Sequence, residues 1–221
     1  MVRRFGTTFA FLLCVLLSAT FAGANSTDLL TFSGLKDGQL VGNFYNGGGL
    51  ASTPNYGVTF SSNFYGLRPA SQGGSGNFLP GPFSNTVIFI LGTMGSSVTG
   101  TMNVASGFGS GINFFYTAAF QETVTVWSGA NGTGTVLATI ALSVNDASCG
   151  AVTYCNWTNV GINFSGTAQS VTFSGPANGI GFSDITLGQS TTAVPEPASI
   201  YLLGTGLVGF CTRHLRRFLR S

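Results

Sequence analysis

The sequence predicts an all-β body, an antiparallel β-sandwich of jelly-roll type, carried between a signal peptide and a short C-terminal transmembrane helix. Three observations predict the body. Charged residues make up only 6 % of the chain while Gly reaches 33 of 221, where a helical bundle would be rich in Glu, Lys and Ala. Apolar residues, 44 % of the total, come in short runs separated by Gly, Ser, Thr and Asn. That is the rhythm of strands and tight turns, and it is too apolar for ordinary disorder. No stretch of the middle sustains a helical period.

The N-terminal element is a leader over residues 1–24. Arg3 and Arg4 form a positive start, an apolar run extends from Phe5 to about Leu17, and Ala22 and Ala24 supply the small residues that signal peptidase requires. Cleavage is expected after Ala24. The β-body occupies residues 25–190. Its strands are expected around Leu29–Phe32, Gly57–Phe60, Thr86–Leu91, Gly111–Tyr116, Thr123–Trp127, Thr135–Leu142, Val160–Phe164, Gln169–Phe173 and Ile180–Leu187. The denser Thr86–Leu91 run reads as a strand buried on both faces. Asn131-Gly132-Thr133-Gly134 supplies the positive φ angles of a hairpin between Trp127 and Thr135. Gly111-Ile112-Asn113-Phe114 recurs as Gly161-Ile162-Asn163-Phe164. One recurrence is too few for a solenoid, so it is read as two similar hairpins in opposed sheets.

The C-terminal element, residues 191–221, has three parts. Pro195-Glu196-Pro197 comes first, then an apolar run from Ala198 to about Thr212, then a cluster of Arg213, Arg216, Arg217 and Arg220. Fifteen helical residues reach about 22 Å, short of a hydrocarbon core of ~30 Å, and snorkelling arginines narrow the gap. Arginines at both ends are expected to stay cytoplasmic, so the middle must be exported.

Cysteine usage agrees with export. Cys14 falls in the leader and Cys211 in the tail, leaving Cys149 and Cys155 in the body. A disulfide between them is expected in an oxidising compartment. A metal site would want more ligands, and a redox pair would want Cys-x-x-Cys spacing.

Pro195-Glu196-Pro197, the short Gly-punctuated span and the arginine cluster together resemble the PEP-CTERM sorting signal. The resemblance implies cleavage by an exosortase, residence at the cell surface or outside it after transient anchoring in the inner membrane, and a link to exopolysaccharide. Thr31-Phe32-Ser33-Gly34-Leu35, Asn55–Phe60 and the closing Gly181–Leu187 stretch resemble β-sandwich ectodomains that precede this tail. Related carbohydrate-binding jelly rolls sometimes hold a structural calcium. Here Ser33 and Ser183 stand where acidic ligands are expected, so no cofactor is assigned and calcium stays open.

Function classes narrow further on charge. Between Asn25 and Ser190 stand two bases, Lys36 and Arg68, against five acids, Asp28, Asp37, Glu122, Asp146 and Asp184. A body of about −3 has no basic surface for a nucleic acid. The sole histidine, His214, lies in the tail, so histidine triads and histidine metal ligands are absent from the body. The five acids show no suggestive spacing for a glycosidase pair. No catalytic residue is assigned. With what the sorting-signal resemblance implies, the expected role is a non-catalytic envelope or matrix protein whose processing partners are signal peptidase and an exosortase. The alternatives are a lectin-like module binding exopolysaccharide or envelope glycans and, less favoured, a divergent polysaccharide-degrading enzyme. For the lectin reading the expected glycan contacts are Tyr45, Tyr65, Tyr154 and Trp157, aromatics set beside amides in Gly-rich or pinned stretches.

Overall fold

The computed structural model describes residues 27–82, 85–146, 149–150 and 152–188. The expected leader, the Pro-Glu-Pro motif and the C-terminal span lie outside them. Among the described residues no helix is long and apolar enough to cross a membrane.

Twelve strands run in chain order: β1 Asp28–Leu30, β2 Gln39–Leu40, β3 Val58–Phe60, β4 Phe64–Leu67, β5 Val87–Ile90, β6 Ser97–Phe108, β7 Gly111–Ala118, β8 Glu122–Gly129, β9 Thr133–Leu142, β10 Thr158–Asn163, β11 Ala168–Pro176 and β12 Ile180–Leu187. They build two sheets. One has the order β10-β7-β12-β5-β4-β2, with β1 also paired to β12; the other has the order β3-β6-β11-β8-β9. All pairings between these strands are antiparallel. The last eight strands nest: β8 pairs β9, β7 pairs β10, β6 pairs β11 and β5 pairs β12. This is a long hairpin rolled over on itself, the jelly-roll arrangement the sequence predicts.

The core lies between the sheets and is dominated by aromatic rings. Phe32, Phe64, Phe114, Phe173 and Phe182 are fully buried. They meet mostly edge to face, as Phe64 does Phe173 at 5.7 Å and Phe114 does Phe182 at 5.6 Å between centroids. Burial of each such side chain contributes about 1.5–3 kcal/mol, and well-oriented ring pairs add about 0.5–1.5 kcal/mol. Strand β6 inserts Gly100 under this cluster. A Cβ there would stand 2.4 Å from the Phe64 ring, so only glycine admits the approach.

The expected hairpin forms as β8 and β9 around a 3-10 turn at Ala130–Gly132, with Asn131 at φ 58° and Gly132 at φ 69°. Strand β5 is buried along its whole length. Ile88 and Ile90 face the main core, while Val87 and Phe89 join a smaller cluster on the opposite face of the sheet.

The repeated tetrapeptide does not occupy opposed sheets, and that expectation is corrected here. The first copy lies in β7 and the second closes β10, with Phe164 just beyond it; the two strands pair directly, Ile112 opposite Ile162 and Gly111 opposite Asn163. The physical reason is register. The same period-2 pattern read in opposite directions places both isoleucines on the buried face. On the exposed face the Asn113 and Asn159 amides exchange two hydrogen bonds, at 3.0 and 2.8 Å.

Candidate functional site

Two features stand out on the seven-stranded sheet: an aromatic cluster on its outer face, held by the disulfide, and a polar cleft beside its shortest strand pair. The disulfide joins Cys149 to Cys155 with a Cα separation of 5.4 Å, as expected. It closes the loop that presents Tyr154. The backbone N–H of Leu79 donates to the Tyr154 carbonyl at 2.8 Å, and Trp157 Nε1 donates to the Leu79 carbonyl at 3.1 Å. These bonds lay the loop along Phe78, whose ring meets Phe89 at 5.3 Å and Trp157 at 6.3 Å. The Tyr154 hydroxyl donates to the Asn178 carbonyl. Burial pushes its pKa up to about 12, and the nearby Asp146 and Glu122 charges add to the rise.

Of the four aromatics expected to meet a glycan, three share this face. Tyr154 and Trp157 pack half-buried on the Phe78 cluster. Tyr65, also half-buried, sits on β4 directly opposite Phe89 and opposite Leu40 of β2. Tyr45 belongs elsewhere, and its expected contact is corrected. It is 2 % exposed and packs in the main core against Phe32, Phe44 and Tyr56. Its hydroxyl oxygen accepts the Phe32 N–H at 2.7 Å, which fixes Phe32 at φ 57°. Burial pushes the Tyr45 pKa up to about 12, and the Phe32 and Thr31 hydrogen bonds pull against that rise. A ring so enclosed offers no face to a ligand.

The cleft, about 530 Å³, was not visible as a site in the sequence. It forms because β2 and β4 pair, Gln39 opposite Gly66 and Leu40 opposite Tyr65. The pairing brings residues just before β2 next to those just after β4. Gly66 is required at this crossing: a Cβ there would stand 2.5 Å from Leu35. Lys36 and Arg68 come from these two flanks and both line the cleft, with Ser33, Asp37, Asn85 and Thr86. Asp37 latches the loop after β4. Its Oδ1 accepts the Arg68 N–H at 2.7 Å and its Oδ2 the Ser75 N–H at 3.0 Å. The only sequence signal for the cleft is that the body's two bases flank the residues that pair.

Among the remaining acids Asp184 has a structural place. Asp184 is buried at φ 51°, inside the register shift where β12 leaves β5 and takes β1 as its neighbour. The Ser183 hydroxyl donates to Asp184 Oδ2 at 2.5 Å. Desolvation raises the Asp184 pKa, partly offset by that bond. Calcium wants six to eight oxygen ligands with several carboxylates. Asp184 supplies one such carboxylate, and it is already bonded to Ser183. Among the described residues no group of three or more His, Cys, Asp or Glu could hold a metal ion.

Comparison with known proteins adds two findings. The PEP-CTERM protein-sorting motif matches residues 193–217, which contain Pro195-Glu196-Pro197. No curated protein matches the chain. Among solved structures the chain is similar to a cleaved adhesin domain of Lys-gingipain from Porphyromonas gingivalis, at 11 % identity over 76 % of this chain and 99 % of that one, with a TM-score of 0.44. It is also similar to a family 29 carbohydrate-binding module, at 12 % identity over 77 % and 99 % with a TM-score of 0.42. A family 6 carbohydrate-binding module matches at 12 % identity over 74 % and 94 %, with a TM-score of 0.38.

Proposed function

We propose that this chain is an exported, non-catalytic envelope protein, sorted by an exosortase and acting in or on an exopolysaccharide matrix. The observation that carries the reading is the sorting motif at 193–217, which follows a β-sandwich whose last strand ends at Leu187. In this reading signal peptidase removes residues 1–24, the apolar run after Pro197 holds the chain in the inner membrane for a time, and the exosortase releases the body to the surface or the medium. A non-catalytic role fits the disposition of the acids. The cleft is lined by one carboxylate, Asp37, and both its oxygens accept backbone N–H groups, whereas glycoside hydrolysis uses two carboxyl groups about 5–10 Å apart. The test replaces Pro195, Glu196 and Pro197 with alanine in the native host. Retention of the full-length form in the inner membrane supports the reading. Unchanged release and an unchanged mature mass refute it.

A lectin-like role is the second reading, favoured by the partly exposed Tyr65, Tyr154 and Trp157 on one sheet face. Aromatic faces stack on sugar rings, and neighbouring amides bond hydroxyls. Glycan-array binding lost in Tyr154→Ala and Trp157→Ala supports it; an array without signal counts against it.

A further inference from the structure

We propose that the cleft between the flanks of β2 and β4 binds an acidic saccharide, a sugar carrying a carboxylate, through Lys36 and Arg68. The inference rests on the glycan-binding reading for its ligand class and goes beyond it in naming the site and the charge.

Charge distribution is the first argument. Lys36 and Arg68 are the only Lys and Arg among the described residues, against five acids. They lie 32 positions apart in sequence, yet strand pairing delivers both to one cleft. Such a body repels anions except where its two cations converge.

Availability is the second. The one acid lining the cleft is Asp37, whose carboxylate accepts the Arg68 and Ser75 backbone N–H groups, so two cations stand against one carboxylate there. Among the described residues neither Lys36 nor Arg68 forms an ion pair, and both are exposed. A guanidinium and an ammonium left unpaired in a polar hollow form a receptor for one carboxylate. Arg binds it with a planar fork, Lys as a point charge.

Size and lining make the ligand a sugar rather than a bare ion. About 530 Å³ is far more than a lone carboxylate or phosphate fills and falls within the ~300–1,000 Å³ of small-molecule sites. The rest of the wall includes Ser33 and Asn85, uncharged groups of the kind that meet hydroxyls. The backbone beside the cleft is tied down. Gly38 N–H donates to the Gly66 carbonyl at 2.8 Å, and the Lys36 N–H to Gln39 Oε1 at 2.9 Å. The two cations therefore project from a fixed backbone, which lowers the ordering cost of binding.

The experiment is calorimetric titration of the full chain in mild detergent with short oligogalacturonides, with matching neutral galacto-oligosaccharides, and with inorganic phosphate. Binding of the acidic oligomer in preference to the neutral one, weakened roughly tenfold by Lys36→Gln and by Arg68→Gln and weakened again by added salt, supports the inference. Both side chains are exposed, so the variants should melt as the parent does; the charge reversals Lys36→Glu and Arg68→Glu should abolish binding altogether. Equal affinity for neutral and acidic oligomers overturns the inference and leaves the lectin reading standing. No saccharide binding of either kind overturns both. Displacement of the oligomer by phosphate at similar affinity, or acidic binding that ignores both cations, overturns the site assignment.

Discussion

Glu122 is the least comfortable group in the body, and its substitution tests the packing directly. It opens β8, is 2 % exposed, and lies against a cradle of glycine backbone. A Cβ at Gly175 would stand 1.8 Å from Glu122 Oε2, and one at Gly179 3.0 Å from Oε1. Its Oε1 has no hydrogen-bond partner among the described residues. Burial therefore raises the carboxyl pKa from 4.5 to about 7. The sign follows from proton counting. Above pH 4.5 the unfolded chain releases this proton while the folded protein keeps it to about pH 7, so the folded state binds more protons and stability falls as pH rises through that window. At about 1.4 kcal/mol per unit the full displacement is worth about 3.5 kcal/mol at most, and about 1–2 kcal/mol once the structure relaxes around the ionised carboxylate. For a domain of this size that is a Tm decrease of about 2–8 °C between pH 5 and pH 8. Glu122→Gln keeps the shape and removes the titration, so its thermal melting curves should lose that decrease. Asp28 and Asp184 are also raised by desolvation, so the difference between parent and variant, not the parent slope alone, isolates Glu122. Parallel Tm–pH curves for the two proteins, or a Glu122 carboxyl titrating near 4.5 by NMR, would refute the reasoning.

Two further perturbations probe the scaffold. Gly100→Ala drives a methyl into the fully buried Phe64 ring; the overpacking should cost about 1–3 kcal/mol, read as a lower urea midpoint with an unchanged m-value. Replacing Cys149 and Cys155 with serine opens a short loop worth about 2 kcal/mol on the chain-entropy account; the expected result is a lower Tm and faster proteolysis near Tyr154 with the rest of the body intact.

The strands that bury dense apolar runs were legible in the sequence. β12 forms over Ile180–Leu187 as read, and β5 and the β8–β9 hairpin form within a residue or two of expectation. Strand β6, the longest at 12 residues, went unread because Gly100, Gly107 and several Ser and Thr dilute its hydrophobicity. Its signal is the alternation Val98-Gly100-Met102-Val104, in which glycine takes an inward position to admit Phe64. Within β4 the sequence offers Tyr65 as a glycan contact because it adjoins Gly66 and follows Asn63 and Phe64. The structure turns Phe64 into the core and Tyr65 outward, as period-2 geometry requires. Tyr45 defeats sequence reading for a similar reason: composition does not say which aromatic supplies the hydroxyl that Phe32 N–H needs. The cleft was illegible because a two-residue strand pair makes it, and so short an element leaves no pattern to read.

Salt provides a way to separate what holds this fold together from what it binds. Among the described residues no ion pair contributes to the sandwich, whose cohesion comes from rings, strand ladders and neutral side-chain bonds such as Asn113 with Asn159. Screening acts on exposed charges over about 10 Å at 0.1 M salt and leaves apolar burial nearly untouched. The melting temperature should therefore stay within about 2 °C as sodium chloride rises from about 0.02 to 0.2 M, a range across which screening removes most long-range surface electrostatics. Acidic-saccharide affinity, if Lys36 and Arg68 carry it, should fall over the same range. A melting temperature that moves with salt as steeply as the affinity would mean that charges other than the cleft pair govern the body.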